Sequence, residues 1–289
     1  MNRADLVAQA QEAISRGSKS FRMASRLFDR TTRERAWLLY CWCRHCDDLC
    51  DGQELGHAGS AAPAGMSEAV ALTEKVLAGR TTGRLPFDAL GALLTECAVP
   101  HNYIRDHLAG FVLDEQGWSP RDEGGLIRYC YHVAGAVGCM MAVVMGVSPD
   151  DEETLERACD LGIAFQLSNI VRDIADDHRT GRCYLPQLWL DEVGLDRETL
   201  LLPEHRPRLV SLAARLCGLA ESYEASARAG IERLPFRARW AVLAAAGIYG
   251  RIGRRVAALG PDAWEARVVV PRRTKARIMI GAFAAAAAA

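Results

Sequence analysis

Several things are missing from this chain of 289 residues. It has no excess of charge: Lys+Arg 35 stand against Asp+Glu 36, a formal net charge of −1, so no general attraction to nucleic acid follows. Residues 1–13 are polar and amphipathic, without the continuous apolar core of a secretory leader, so a cytoplasmic location is expected. The longest run free of charge and of His, residues 133–149, is short for a membrane span and is broken by glycines. There is no P-loop, no Gly-x-Gly-x-x-Gly turn and no nucleophile elbow, which argues against the common nucleotide-binding and hydrolase chemistries. Alternating apolar/polar strand patterns are nearly absent, and no period of 20–50 residues repeats.

What is present is helical periodicity. The pattern predicts a single all-α domain over 1–289, closing on a low-complexity alanine tail at 284–289. Helices are expected over about 4–15, then from a capping box at Thr31–Glu34 through Asp51, and over 67–77, 87–97, 101–116 and 124–147. A loop is expected at 52–65. Ser148-Pro149 reads as the N-cap and first turn of a long helix running past residue 166. Two more helices are expected at 208–229 and 237–259.

Ten cysteines accompany this pattern. Cys43-Arg-His-Cys46 imitates half a zinc site, but no second pair stands at finger spacing. Buried free thiols are the expected state, and no structural zinc.

The stretch Gln166–Pro186 carries the chemistry. At about 100° per residue, Gln166, Asn169, Asp173 and Asp177 fall within one arc of roughly 80°. Leu167, Ile170, Val171 and Ile174 supply the packing face. Like charges four residues apart oppose a helix by roughly 0.2–0.5 kcal/mol, and a bound hard cation reverses that sign. A solvated acidic face paired with Arg172 and Arg179 is the plain alternative. A second cluster tips the balance: Tyr40, Arg44, Asp47 and Asp51 share one helix face with Asp48 on its flank. Two acidic clusters, each with an arginine, read as a site for a divalent metal and a diphosphate.

Other segments stay open to two readings. The turn Gly17-Ser-Lys-Ser-Phe21 can offer hydroxyls, amides and an ammonium to a phosphate, or can simply join two helices. Ala134, Gly135 and Gly138 suit either close helix packing or a channel for a long hydrocarbon.

Ser18–Phe21, Tyr40–Asp51, Tyr129–Gly138 and Gln166–Pro186 together resemble the phytoene/squalene synthase family, over roughly residues 15–275. The resemblance implies an all-α isoprenoid-synthase bundle around a central cavity. It implies Mg²⁺-dependent (or Mn²⁺-dependent) head-to-head condensation of two geranylgeranyl diphosphates, through a cyclopropyl diphosphate, to phytoene at the entry to carotenoid biosynthesis. It further implies that Asp47, Asp48, Asp51, Asn169, Asp173, Asp176 and Asp177 hold metal. Ser18, Lys19, Ser20, Arg44, Arg172 and Arg272 would meet diphosphate. Phe21, Tyr40, Val133, Val137, Gly138 and Gln166 would line the prenyl chain. Proton loss without NADPH would end the reaction, with the released diphosphate or Tyr249 as base. Peripheral membrane contact would suit so apolar a product. Cys50 departs from the aliphatic residue usual in that family. The rivals are a squalene or dehydrosqualene synthase using farnesyl diphosphate, a terpene cyclase, and a non-catalytic helical binding protein on the same fold.

Overall fold

The computed structural model describes residues 1–17, 19–51, 53–54, 57–58 and 65–288, without the side chains of residues 19–21, 51, 53, 54, 57 and 58. Its described residues are all-α, apart from a two-residue antiparallel ribbon pairing Gln53 with Ala58 and Glu54 with His57 inside the expected loop. Contacts gather into two compact units, Met1–Gln116 with Met140–Glu152, and Gly117–Cys139 with Glu153–Ala289.

The first unit is built on α3 (Arg30–Asp51), which packs against α1 (Arg3–Gly17) and α5 (Leu85–Glu96). Ala36, Leu38, Leu39, Trp42 and Cys46 are fully buried, the face that a 3.6-residue period puts inward. Burial of each large side chain is worth about 1.5–3 kcal/mol, far more than any one capping contact. The indoles must keep a hydrogen-bond partner in the core. Trp42 donates Nε1 to Thr73 Oγ1 on α4 (Met66–Leu77) at 3.3 Å, and Trp37 donates to Ser25 Oγ at 3.0 Å. Ser25 ends α2 (Lys19–Ser25), a short helix the sequence pattern did not predict. The cap of α3 is also not the expected one. Asp29, not Thr31, accepts from the Thr32 backbone N–H at 3.0 Å, while Glu34 turns to Arg3 and Arg30. α6 (His101–Glu115) completes this unit beside α3 and α4.

α7 (Glu123–Cys130) runs through a π-helical turn (Tyr131–Gly135) into α8 (Ala136–Val144), where one unbroken helix was expected; the second unit holds this run as far as Cys139. The whole run is long and apolar enough to cross a membrane by length and composition, but half of it is buried in the protein. Its second-unit part lies against α9 (Glu152–Arg179), which starts at Glu152. Ser148-Pro149 instead form a turn, with Ser148 Oγ accepting from the Asp150 N–H at 3.2 Å. The glycines set how close the helices come. A Cβ on Gly162 would sit 2.3 Å from the Ala134 carbonyl oxygen, and one on Gly138 2.2 Å from that of Ala158. Of the two readings left open for these small residues, the structure gives close backbone packing.

After α10 (Gln187–Glu192) come α11 (Arg206–Ile231), α12 (Phe236–Leu259) and α13 (Arg272–Ala288). The alanine tail, which the sequence left unread, therefore continues α13 through Ala288. α13 lies on α12 through Ala282, Ala286 and Ile278, the last seated against Gly247.

Candidate diphosphate and metal site

In the first unit the α3 cluster is as the helical wheel predicts. Tyr40, Arg44 and Asp47 are partly exposed along one face, and Asp48 beside them is buried. Arg44 bridges both carboxylates, at 2.8 Å to Asp47 and 2.7 Å to Asp48. Burial works against the Arg44 charge, but Asp47 and Asp48 outweigh it and hold the guanidinium above its ordinary pKa. Burial also pushes the Tyr40 phenol up to about 12, so it remains a neutral hydrogen-bonding group. Burial raises Cys43 and Cys46 too, so both side chains are neutral thiols. All ten cysteines are free, six of them buried. Ser18 and the side chains of Lys19, Ser20, Phe21 and Asp51 lie outside the described residues.

In the second unit, Leu167, Ile170, Val171 and Ile174 are buried while Gln166, Asn169, Asp173, Asp176 and Asp177 stay partly exposed. The buried face outweighs the like-charge cost on the other side by several kcal/mol, which is how the polar row is tolerated. Asn169 donates weakly to Gln166 Oε1 at 3.4 Å. Trp264, from the 3₁₀ turn Gly260–Trp264, donates Nε1 to the Val171 carbonyl at 3.0 Å and pins the helix from behind. The helix ends where the acidic row ends. Gly181, at φ +76°, lets the Arg182 N–H return to the Asp177 carbonyl at 2.9 Å, a turn other residues adopt with strain. Beyond it, Tyr184 stacks on Tyr129 at 4.8 Å, and Tyr129 on Trp118 at 5.6 Å.

Asp173 is the centre of this cluster. Arg172 grips both its oxygens, with Nε to Oδ1 at 2.7 Å. Arg267 makes a second fork, Nε to Oδ1 and Nη2 to Oδ2, each at 3.0 Å, and lies 3.8 Å from Asp176. Asp176 also pairs with Arg179 at 2.7 Å. Burial raises the Asp173 pKa, but the two guanidinium groups overcome it and leave the carboxyl below its ordinary range. Tyr249 stacks on Phe165 at 4.2 Å, and burial raises its phenol although the Arg172 charge pulls the other way. Val133, Val137 and Gly138 are partly exposed; Gly138 faces the α9 backbone. Arg272 is exposed at the start of α13, and it is Arg267, five residues before it, that joins Arg172 on Asp173. Sequence reasoning missed Arg267, since it sits 94 positions away in a stretch with no period or motif.

The donor set suits a hard divalent cation: ionised carboxylates, a carboxamide oxygen and no thiolate. Among the described residues, no three His, Cys, Asp or Glu side chains converge as a ready-made cage. Guanidinium groups hold the Asp173 oxygens instead, supplying the positive charge that this carboxylate requires.

The family model for squalene/phytoene synthase matches residues 14–274. The chain is 43% identical to the 15-cis-phytoene synthase of Pantoea ananas, over 98% of this chain and 92% of that one. It is 45% identical to the 15-cis-phytoene synthase of Enterobacter agglomerans, over 92% and 91%. Among solved structures, a dehydrosqualene synthase crystallised with a ligand superposes with a TM-score of 0.87 at 23% identity, over 99% of this chain and 98% of that one, a likeness of fold. The chain belongs to the squalene/phytoene synthase family.

Proposed function

We propose that this member of the squalene/phytoene synthase family is a prenyltransferase that joins two geranylgeranyl diphosphates head to head and releases phytoene. The observation that carries the reading is the identity of 43% with a relative named 15-cis-phytoene synthase, spanning nearly the whole of both chains. The geometry of the two clusters supports the same chemistry.

Ionising an allylic diphosphate needs the leaving group's negative charge to be met as it develops. Asp47, Asp48 and Asp51 on α3, with Asn169, Asp173, Asp176 and Asp177 on α9, would hold Mg²⁺. The metal, when bound, supplies Lewis-acid neutralisation of the diphosphate oxygens. Arg44 serves the first cluster and Arg172 and Arg267 the second, and a diphosphate at either cluster gives its guanidinium groups oxygens to fork onto in place of the carboxylates they now hold. Ser18, Lys19 and Ser20 would add donors to the same group. Each half of the reaction, first to the cyclopropyl diphosphate and then to phytoene, gives up one diphosphate and one proton. The raised phenol of Tyr249 is neutral near pH 7 and cannot accept a proton, so the released diphosphate is the better base. We place the protein in the cytoplasm, in peripheral contact with a membrane that takes up so apolar a product.

The test is product analysis by mass spectrometry after incubation with farnesyl or geranylgeranyl diphosphate and Mg²⁺. Geranylgeranyl diphosphate without reductant should give a C40 hydrocarbon, and NADPH should change neither rate nor product. A C30 product made faster than the C40 one, or a product two hydrogens heavier that appears only with NADPH, would move the chain to a squalene-type activity.

A further inference from the structure

The outward side of α13 is divided along its length. Taking about 100° per residue, Arg273, Ala276, Arg277, Ile280, Phe283 and Ala287 form one stripe, and all six are exposed. The opposite side, with Ala282 and Ala286, is the one buried on α12. The first two turns of the stripe are cationic and the remainder is apolar. Ile280 is 71% exposed and Phe283 46%, an expensive display for a soluble surface.

The apolar part extends beyond α13. Phe236, at the start of α12 and 41% exposed, meets the Phe283 ring edge-on at 5.6 Å, and Trp240 meets it at 5.1 Å. Trp240 donates Nε1 to the Met279 carbonyl at 2.9 Å, so the aromatic group is fixed to the backbone that presents Ile280. Exposed Arg237 follows Phe236. Neither α12 nor α13 contains an acidic residue, and none occurs after Glu265, although the whole chain is near neutral. Positive charge is therefore segregated onto the helices that also carry the exposed aromatic and aliphatic groups.

We infer that this face, Arg273 and Arg277 with Ile280, Phe283 and Phe236, docks the protein on the surface of an anionic lipid bilayer. Arginines at the headgroups, with Ile and Phe entering the acyl boundary, make the pairing that holds an interfacial helix on anionic lipid. The inference deepens the proposed function, because a C40 hydrocarbon must leave the protein into lipid and not into water.

The test uses the purified full chain without substrate, co-sedimented with vesicles of phosphatidylglycerol and phosphatidylcholine or of phosphatidylcholine alone. Sedimentation with the anionic vesicles, and release by high salt, is expected. The R273E/R277E double variant should lose about tenfold or more in vesicle affinity, and F283S should weaken it with unchanged thermal melting. If a double variant fails to fold, Ile280→Ser, at the most exposed apolar position of the patch, reads the same contact. Equal binding by all variants, or no binding to anionic vesicles, overturns the inference. So does a dimer in lipid-free sedimentation that Ile280→Ser dissociates, since the face would then belong to a second copy. Vesicle binding is measured without turnover, so its failure leaves the catalytic reading standing, and a chain that binds vesicles but makes no C40 product refutes only the latter.

Discussion

Arg267 and Asp173 are joined by two parallel hydrogen bonds of 3.0 Å, across 94 residues of sequence, on a carboxylate that Arg172 already grips. Two guanidinium forks occupy both lone pairs of each Asp173 oxygen, and they leave the pair of arginines with one positive charge more than that carboxylate neutralises.

Arg267→Ala should therefore lower kcat/KM for the diphosphate substrate by about 10- to 100-fold, the worth of one charge-assisted fork. Arg272→Ala, at an exposed position without such a fork, should stay within about threefold. Steady-state kinetics on the two variants decide which arginine belongs to the site, and the reverse order would return the role to Arg272.

Asp173→Asn keeps the shape of the side chain and removes its charge. Turnover should fall about a hundredfold or more while the helix content and melting cooperativity persist. EDTA should silence the wild type, with Mg²⁺ or Mn²⁺ restoring it. A folded Asp173→Asn variant with near-normal rate would remove α9 from the metal site.

The depressed pKa of Asp173 has a definite sign in stability. A carboxyl held below its unfolded value, about 3.9, stabilises the fold above that pH and loses the contribution as pH falls through its lower folded value. The stability difference between wild type and Asp173→Asn should thus be constant at neutral pH and shrink only in the acid range below about pH 4. Urea titrations across that window measure it; a difference that grew on acidification would contradict the ionised pair.

Gly162→Ala places a methyl carbon 2.3 Å from the Ala134 carbonyl oxygen, and backbone is what must move. A loss of about 1–3 kcal/mol is expected, read as a fall in Tm. Gly281→Ala, on α13 with open space around the added carbon, serves as the control and should not destabilise.

The all-α class, the two acidic faces and the buried partners of the second were legible because a 3.6-residue period writes side-chain direction directly into the sequence. Asn169, Asp173 and Asp177 on one face, with Leu167, Ile170, Val171 and Ile174 inward, came from spacing alone and are so placed. Capping was less legible: Asp29 took the role offered to Thr31, and Ser148-Pro149 became a turn, because several nearby oxygens compete for the same few N–H groups. The alanine tail gave no pattern to read, since alanine favours helix without declaring a face, and packing of Ala282 and Ala286 on α12 chose one. Whether Ala134, Gly135 and Gly138 served a channel or a close crossing was open in the sequence; the Ala158 carbonyl against Gly138, and the Ala134 carbonyl against Gly162, show the close crossing. The meeting of Arg267 with Asp173 lay furthest out of reach. No local propensity links residues 94 apart; only the folding of a patternless segment back onto α9 brings that charge to that carboxylate.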